Sequence, residues 1–198
     1  MLRRGAAAVL SLALGVGCGS GERAAPARPA ATPACPRGDV VVRVDEEAAA
    51  LAGCTAIERD LVVGPSFALG SLAALGRIEE VGGSLDISSN AALSGVFLPG
   101  LRRVAGGVTV ESNLGAETVS LHHLVEVGGD LVVRDNRGLV RLDLSRLARV
   151  GGRFEVSDHP VLDSVSLDAF ASAGEVAIDG NPAWPAEEIA SLRTRLGR

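Results

Sequence analysis

The sequence predicts a mainly β fold, a short parallel β-solenoid of about five 23-residue coils, with a disulfide cap on its first coil and a helical cap on its last. Three observations predict it. Val81, Val104, Val127 and Val150 recur every 23 residues without a gap, and so do Asn90, Asn113, Asn136 and His159. Within a unit, apolar residues alternate with others at Leu131 and Val133 and again at Leu142 and Leu144, a period of two that describes short strands and excludes helical repeats. The composition is 47% hydrophobic but only 3% aromatic, with no Tyr, so the core must be built from Val, Leu, Ile and Ala. Thin stacked layers suit such side chains.

The chain opens on Arg3 and Arg4, an apolar run from Ala6 to Val16 and small residues before Cys18, which together read as a signal peptide over residues 1–17. The run is far shorter than the roughly 20 residues that cross a bilayer as a helix. Gly17, Cys18 and Gly19 are similar to the lipobox of bacterial lipoproteins, which makes Cys18 a candidate lipid-attachment residue. Gly15 stands where that box usually has Leu, and ordinary cleavage is the competing expectation. Residues 18–34 then mix Pro, Ala and charge without apolar periodicity, as a tether does. About 160 residues remain for the domain, here taken as residues 35–198, enough for one sizeable core.

Of three cysteines, Cys35 and Cys54 fall in the domain. In an exported chain they are expected to pair and to close the open end of the solenoid, contributing about 3 kcal/mol. A metal site is the alternative, but two Cys without a nearby His do not supply four ligands. Asp39 to Val44 reads as a first strand and Asp45 to Leu51 as a short helix. From Val81 onward the apolar columns align: Leu85, Val108, Leu131 and Phe154; Ile87, Val110, Val133 and Val156; Leu98, Leu121, Leu144 and Leu167; Leu101, Leu124, Leu147 and Phe170. Glycines at 82–83, 106–107, 128–129 and 151–152 are expected at tight corners. The Asn column is expected to be a structural ladder rather than a row of ligands. Glu80, Arg103, Glu126 and Arg149 share the period and alternate in sign, which predicts an exposed ladder of charge. A degenerate coil near Val176, Ile178 and Asn181 ends the solenoid. Pro185 then starts a helix with Glu187 and Glu188 in its first turn, and Ile189, Leu192 and Leu196 on one face beside Trp184.

Two segments carry a family resemblance. Cys35, a strand, a short helix and then the run from Cys54 to Val63 (Cys-Thr-Ala-Ile-Glu-Arg-Asp-Leu-Val-Val) resemble the opening of the receptor L domain, whose two Cys pair. The coils over residues 81–181 are similar to that family's Ile-x-Gly-x-Leu-x-Ile units. The resemblance implies a short right-handed β-helix, related in appearance to leucine-rich repeats. Arg59 stands where the family usually has Gly. The receptors' cysteine-rich modules and kinase have no counterpart, so hormone binding and signalling do not carry over.

No catalytic, cofactor or metal residues can be assigned, and the expectation is a protein that is not an enzyme. Parallel β-helices do include polysaccharide-active enzymes. Of the outward residues Asp86, Ser88, Glu111, Arg134, Glu155, Ser157 and Asp179, only Glu111 with Arg134 makes a plausible pair, and a solvated ion pair accounts for it. His122 and His123 lack ligand-spaced partners. A net charge of −5 argues against nucleic acid. Phe97 is expected to point outward, where its counterparts are Ser120, Asp143 and Ser166, as a candidate partner contact; packing on the loop around Pro99 is the alternative. The expected function is an extracytoplasmic, lipid-anchored binding or adhesion module of the cell envelope, held at a membrane and meeting a protein or glycan ligand. A passive envelope scaffold is the second expectation.

Overall fold

The computed structural model describes residues 35–196. The expected signal peptide (residues 1–17), Cys18 and the expected tether lie outside the described residues. Parallel strands wind into a β-solenoid of about six turns. One face stacks Val40–Val42, Leu61–Val63, Leu85–Ser88, Val108–Glu111 and Leu131–Arg134. A second stacks the two-residue strands Ala56–Ile57, Glu80–Val81, Arg103–Val104 and Glu126–Val127. The third stacks Gly95–Phe97, Thr118–Ser120, Arg141–Asp143 and Ser164–Ser166. Arg149–Ser157 runs unbroken through the corner between the first two faces, and Ser172–Asp179 pairs along it.

The register is the one the repeat demands. Leu85 pairs with Val108, Val108 with Leu131, and Leu131 with Phe154. Every residue of that column is buried, as are Ile87, Val110, Val133 and Val156 beside it. The third face contributes Leu98, Leu121, Leu144 and Leu167, and at the closing end the rings of Phe154 and Phe170 lie 4.7 Å apart. The structure has more coils than the periodicity counts because the end coils are off period. Val40 pairs with Leu61 and Leu61 with Leu85, and the register slips again between Val150 and Arg153 before Phe154 meets Val176.

The glycines do not make the tight corners expected of them. Among the described glycines only Gly64 and Gly180 have positive φ. Gly82, Gly128 and Gly151 are instead places of close approach, since a Cβ there would run into the carbonyl oxygen of Glu58, Ala105 or Gly128 in the preceding coil. The left-handed corner sits one residue before each ladder position, at Ser89, Ser112, Asp135 and Asp158 with φ of 57°, 55°, 49° and 61°. Asp is among the few L residues that visit this region readily, and Gly180 completes the row at φ 68°.

Both ends are closed as expected. Cys35 and Cys54 form a disulfide with Cα atoms 5.6 Å apart, beside a helix at Asp45–Ala49. At the other end the helix Ala186–Arg195 lays Leu192 on the last coil, and Trp184 is buried with its Nε1 donating to Glu188 at 3.1 Å. Arg193 and Arg195 donate to the carbonyls of Ile178 (3.2 Å) and Leu167 (2.6 Å), acceptors that a further coil would otherwise have met. This answers the edge problem of an open β stack. Among the described residues no helix is long and apolar enough to cross a membrane.

Candidate functional site

The Asn column lies inside the solenoid, so it presents nothing to a ligand. Asn90, Asn113, Asn136 and His159 are fully buried. Each side chain serves the coil before its own. Asn113 Oδ1 accepts the Asn90 N–H at 3.2 Å while its Nδ2 donates to Ile87 O at 2.8 Å. Asn136 does the same for Asn113 N–H (2.9 Å) and Val110 O (2.9 Å). Asn181 serves His159 N–H (3.1 Å) and Val156 O (2.8 Å). His159 keeps the pattern with a ring: Nδ1 accepts the Asn136 N–H at 3.3 Å and Nε2 donates to Val133 O at 3.1 Å. That division of roles is a neutral imidazole, and burial lowers its pKa accordingly. The pattern fails once. Ser66 donates its N–H to Ser89 O instead, and Asn90 Oδ1 is left buried without a hydrogen-bond partner.

Several outward charges pair along or across the strands. Arg134 pairs with Glu111 at 2.9 Å across adjacent strands, and this hydrogen bond and charge raise the Arg134 pKa. Arg153 pairs with Glu155 at 3.2 Å, and Ser157 Oγ donates to the same carboxylate at 2.9 Å. On the short-strand face, Glu80, Arg103, Glu126 and Arg149 stand in register as expected. Glu126 is the hub. It meets Arg149 in a hydrogen-bonded ion pair and Arg103 at 4.0 Å, and the Arg149 hydrogen bond is the first cause of its lowered pKa. His122 Nδ1 meets Ser120 Oγ at 3.1 Å, and His123 Nδ1 donates to Pro99 O at 2.6 Å. Among the described residues no three His, Cys, Asp or Glu side chains group as a metal site would require.

Phe97 points outward and is 49% exposed. Its ring folds back over Gly95 of its own strand, where a Cβ would collide with it, while Pro99 lies beside Gly76. The ring thus rests in part on Gly95, and about half of its surface is open. Its neighbour in register is Ser120, too small to cover it.

Sequence reasoning passed over a second feature, at the turn that follows the long-strand face. Phe67 is 90% exposed and Leu114 57% exposed, and with Ser89, Ala91, Ser112, Asp135 and Arg137 they line a groove of about 420 Å³. The groove runs along the stack. Ala91, Leu114 and Arg137 each follow a ladder residue by one position, and Phe67 follows Ser66, which bridges to Asn90. Since ladder residues point in, this next column points out. The signal was available, but Phe67 belongs to an off-period coil and never entered the alignment from Val81.

Family models, curated proteins and solved structures were each compared with the chain, and none matches it.

Proposed function

We propose that the chain is an extracytoplasmic binding or adhesion module of the cell envelope, anchored through a lipid on Cys18 and built on a receptor L-domain-like solenoid. The N-terminal sequence, with its basic start, apolar run and lipobox-like Gly-Cys-Gly, supports export and anchoring. The single observation that carries the binding reading is that aromatic side chains stand exposed on a scaffold whose other regular positions are consumed by stacking. Phe97 and Phe67 are 49% and 90% exposed, in a chain with only four Phe and one Trp. Large aromatics anchor partners through the area they bury.

A passive scaffold is the second reading. The observation favouring it is that the charges best placed on the strand faces pair with one another, Glu111 with Arg134 and Glu126 with Arg103 and Arg149. Two measurements test the proposal. Intact mass of the mature protein reports the lipid on Cys18. Cross-linking on intact cells, followed by recovery of the tagged chain, reports partners: a discrete partner lost in Phe97→Ala supports the binding module. Equal recovery with wild type and variant removes Phe97, and no discrete partner favours the scaffold.

A further inference from the structure

We propose that the groove lined by Phe67, Ser89, Ala91, Ser112, Leu114, Asp135 and Arg137 is a glycan-binding site, taking a neutral oligosaccharide chain laid along the stack. This rests on the binding-module reading and names a ligand class for it.

The lining has two chemistries interleaved. Phe67 and Leu114, 90% and 57% exposed, offer apolar platforms at separate rungs. Successive rungs lie about 4.8 Å apart, a distance close to the length of one pyranose, so the two platforms flank about two sugar units. Between and beside them stand hydroxyls and a fixed polar pair. Arg137 Nε donates to Asp135 Oδ1 at 3.1 Å, and Ser112 Oγ donates to Asp135 Oδ2 at 3.4 Å. The left-handed corners at Ser89, Ser112 and Asp135 hold the backbone under these side chains, and the buried Asn90, Asn113 and Asn136 hold those corners. The site is thus largely preformed, which limits the ordering cost of binding.

Charge selects the occupant. Asp135 and Arg137 neutralise each other, so the groove has no net charge to attract a phosphate, a polybasic segment or a nucleic acid. What the pair retains is hydrogen-bonding capacity in one plane, with free carboxylate lone pairs and guanidinium N–H groups. A sugar ring matches this combination: its C–H face lies on an aromatic or aliphatic side chain, and its equatorial hydroxyls reach paired donors and acceptors. A protein partner fits less well. A stable protein interface takes about 20–30 residues on each side, far more than the seven that line this groove.

Isothermal titration of the mature full-length protein with cellohexaose, chitohexaose and mannohexaose tests the assignment. At least one probe should bind with a dissociation constant below about 1 mM. Phe67→Ala should weaken it tenfold or more, Arg137→Gln should weaken it several-fold, and Phe97→Ala should leave it unchanged. All three positions are exposed, so the variants should keep the wild-type melting temperature. No binding of any of the three by wild type, or equal binding by Phe67→Ala, overturns the glycan site. Sedimentation of the same samples covers the other occupant: self-association abolished by Phe67→Ala assigns the groove to a second copy and overturns the proposal. If the sugars fail while Phe97-dependent capture on cells persists, only the groove assignment falls. If both fail, the binding-module reading falls with it.

Discussion

At the scale of single residues, the ladder is where this fold is most exposed to change. Asn136 accepts the Asn113 N–H and donates to Val110 O inside the core. Asn136→Ala would take this acceptor from the buried Asn113 N–H, at about 1–3 kcal/mol, whereas Arg137→Ala one position later should cost under about 0.5 kcal/mol. Urea denaturation of the two variants checks the contrast. His159 adds a dependence on pH. Burial lowers its pKa, against the opposing influence of the Val133 and Asn136 carbonyls and of Asp158 and Asp135, the charged groups that face it. A group that resists protonation in the folded state loses stability in acid. The His159 contribution is therefore intact above the unfolded pKa of about 6.5, and declines as pH falls below it toward the folded value. Protonated Nδ1 also could no longer accept the Asn136 N–H. His159→Asn restores the ladder chemistry without a titrating group. Denaturation midpoints at about pH 7.5 and 5.5 should fall more for wild type than for the variant, and equal falls would show that His159 does not set the acid sensitivity.

At the scale of strands and corners, the alternating charges test the register from outside the core. Glu126 lies between Arg103 and Arg149 on adjacent rungs. Glu126→Arg would put three guanidinium groups in one column, lowering the melting temperature at low salt and recovering in high salt, while Glu126→Gln should lower it much less. Melting curves at low and high ionic strength separate the two. The same elements show what the sequence could and could not convey. Columns such as Leu85, Val108, Leu131 and Phe154 were legible because burial and strand pairing impose one strict period, and the Cys35–Cys54 closure was legible because two domain cysteines without a nearby His have few alternatives. The Gly-Gly pairs misled, because glycine serves both sharp turns and close approach, and only the stacked neighbour, Glu58 O over Gly82 for instance, tells which. Corners at Ser89 and Asp135 carry no composition signal that distinguishes them from ordinary surface polarity. Phe97 was legible as outward from its strand position. Phe67 was not, since its coil departs from the period that would have placed it.

At the scale of the whole molecule, a solenoid is nearly one-dimensional, and each coil touches only the coils beside it. Coils are then removable units, provided the cut respects the period. Deleting residues 108–130 joins Gly107 to Leu131, which pairs in the position Val108 occupied, so the apolar columns, the Asn ladder and both caps survive. The shortened protein should fold, with a lower melting temperature from the lost coil–coil interface. It should also carry a specific defect. Glu126 leaves with the deleted coil, and Arg103 comes to lie against Arg149, so stability should rise with added salt where the wild-type ion pairs would weaken. Deleting two coils, residues 85–130, removes Arg103 together with Glu126 and brings Glu80 against Arg149, which restores opposite signs. This smaller protein has less core yet should lack the salt response of the single deletion. Thermal melts of wild type and both deletions at about 20 mM and 500 mM salt decide the matter, because screening at the higher value reaches within a few ångströms. A single deletion that fails to fold contradicts the nearest-neighbour picture. Equal salt responses in the two deletions would show that the charge column is incidental to stacking, leaving the apolar columns and the Asn ladder to set the register alone.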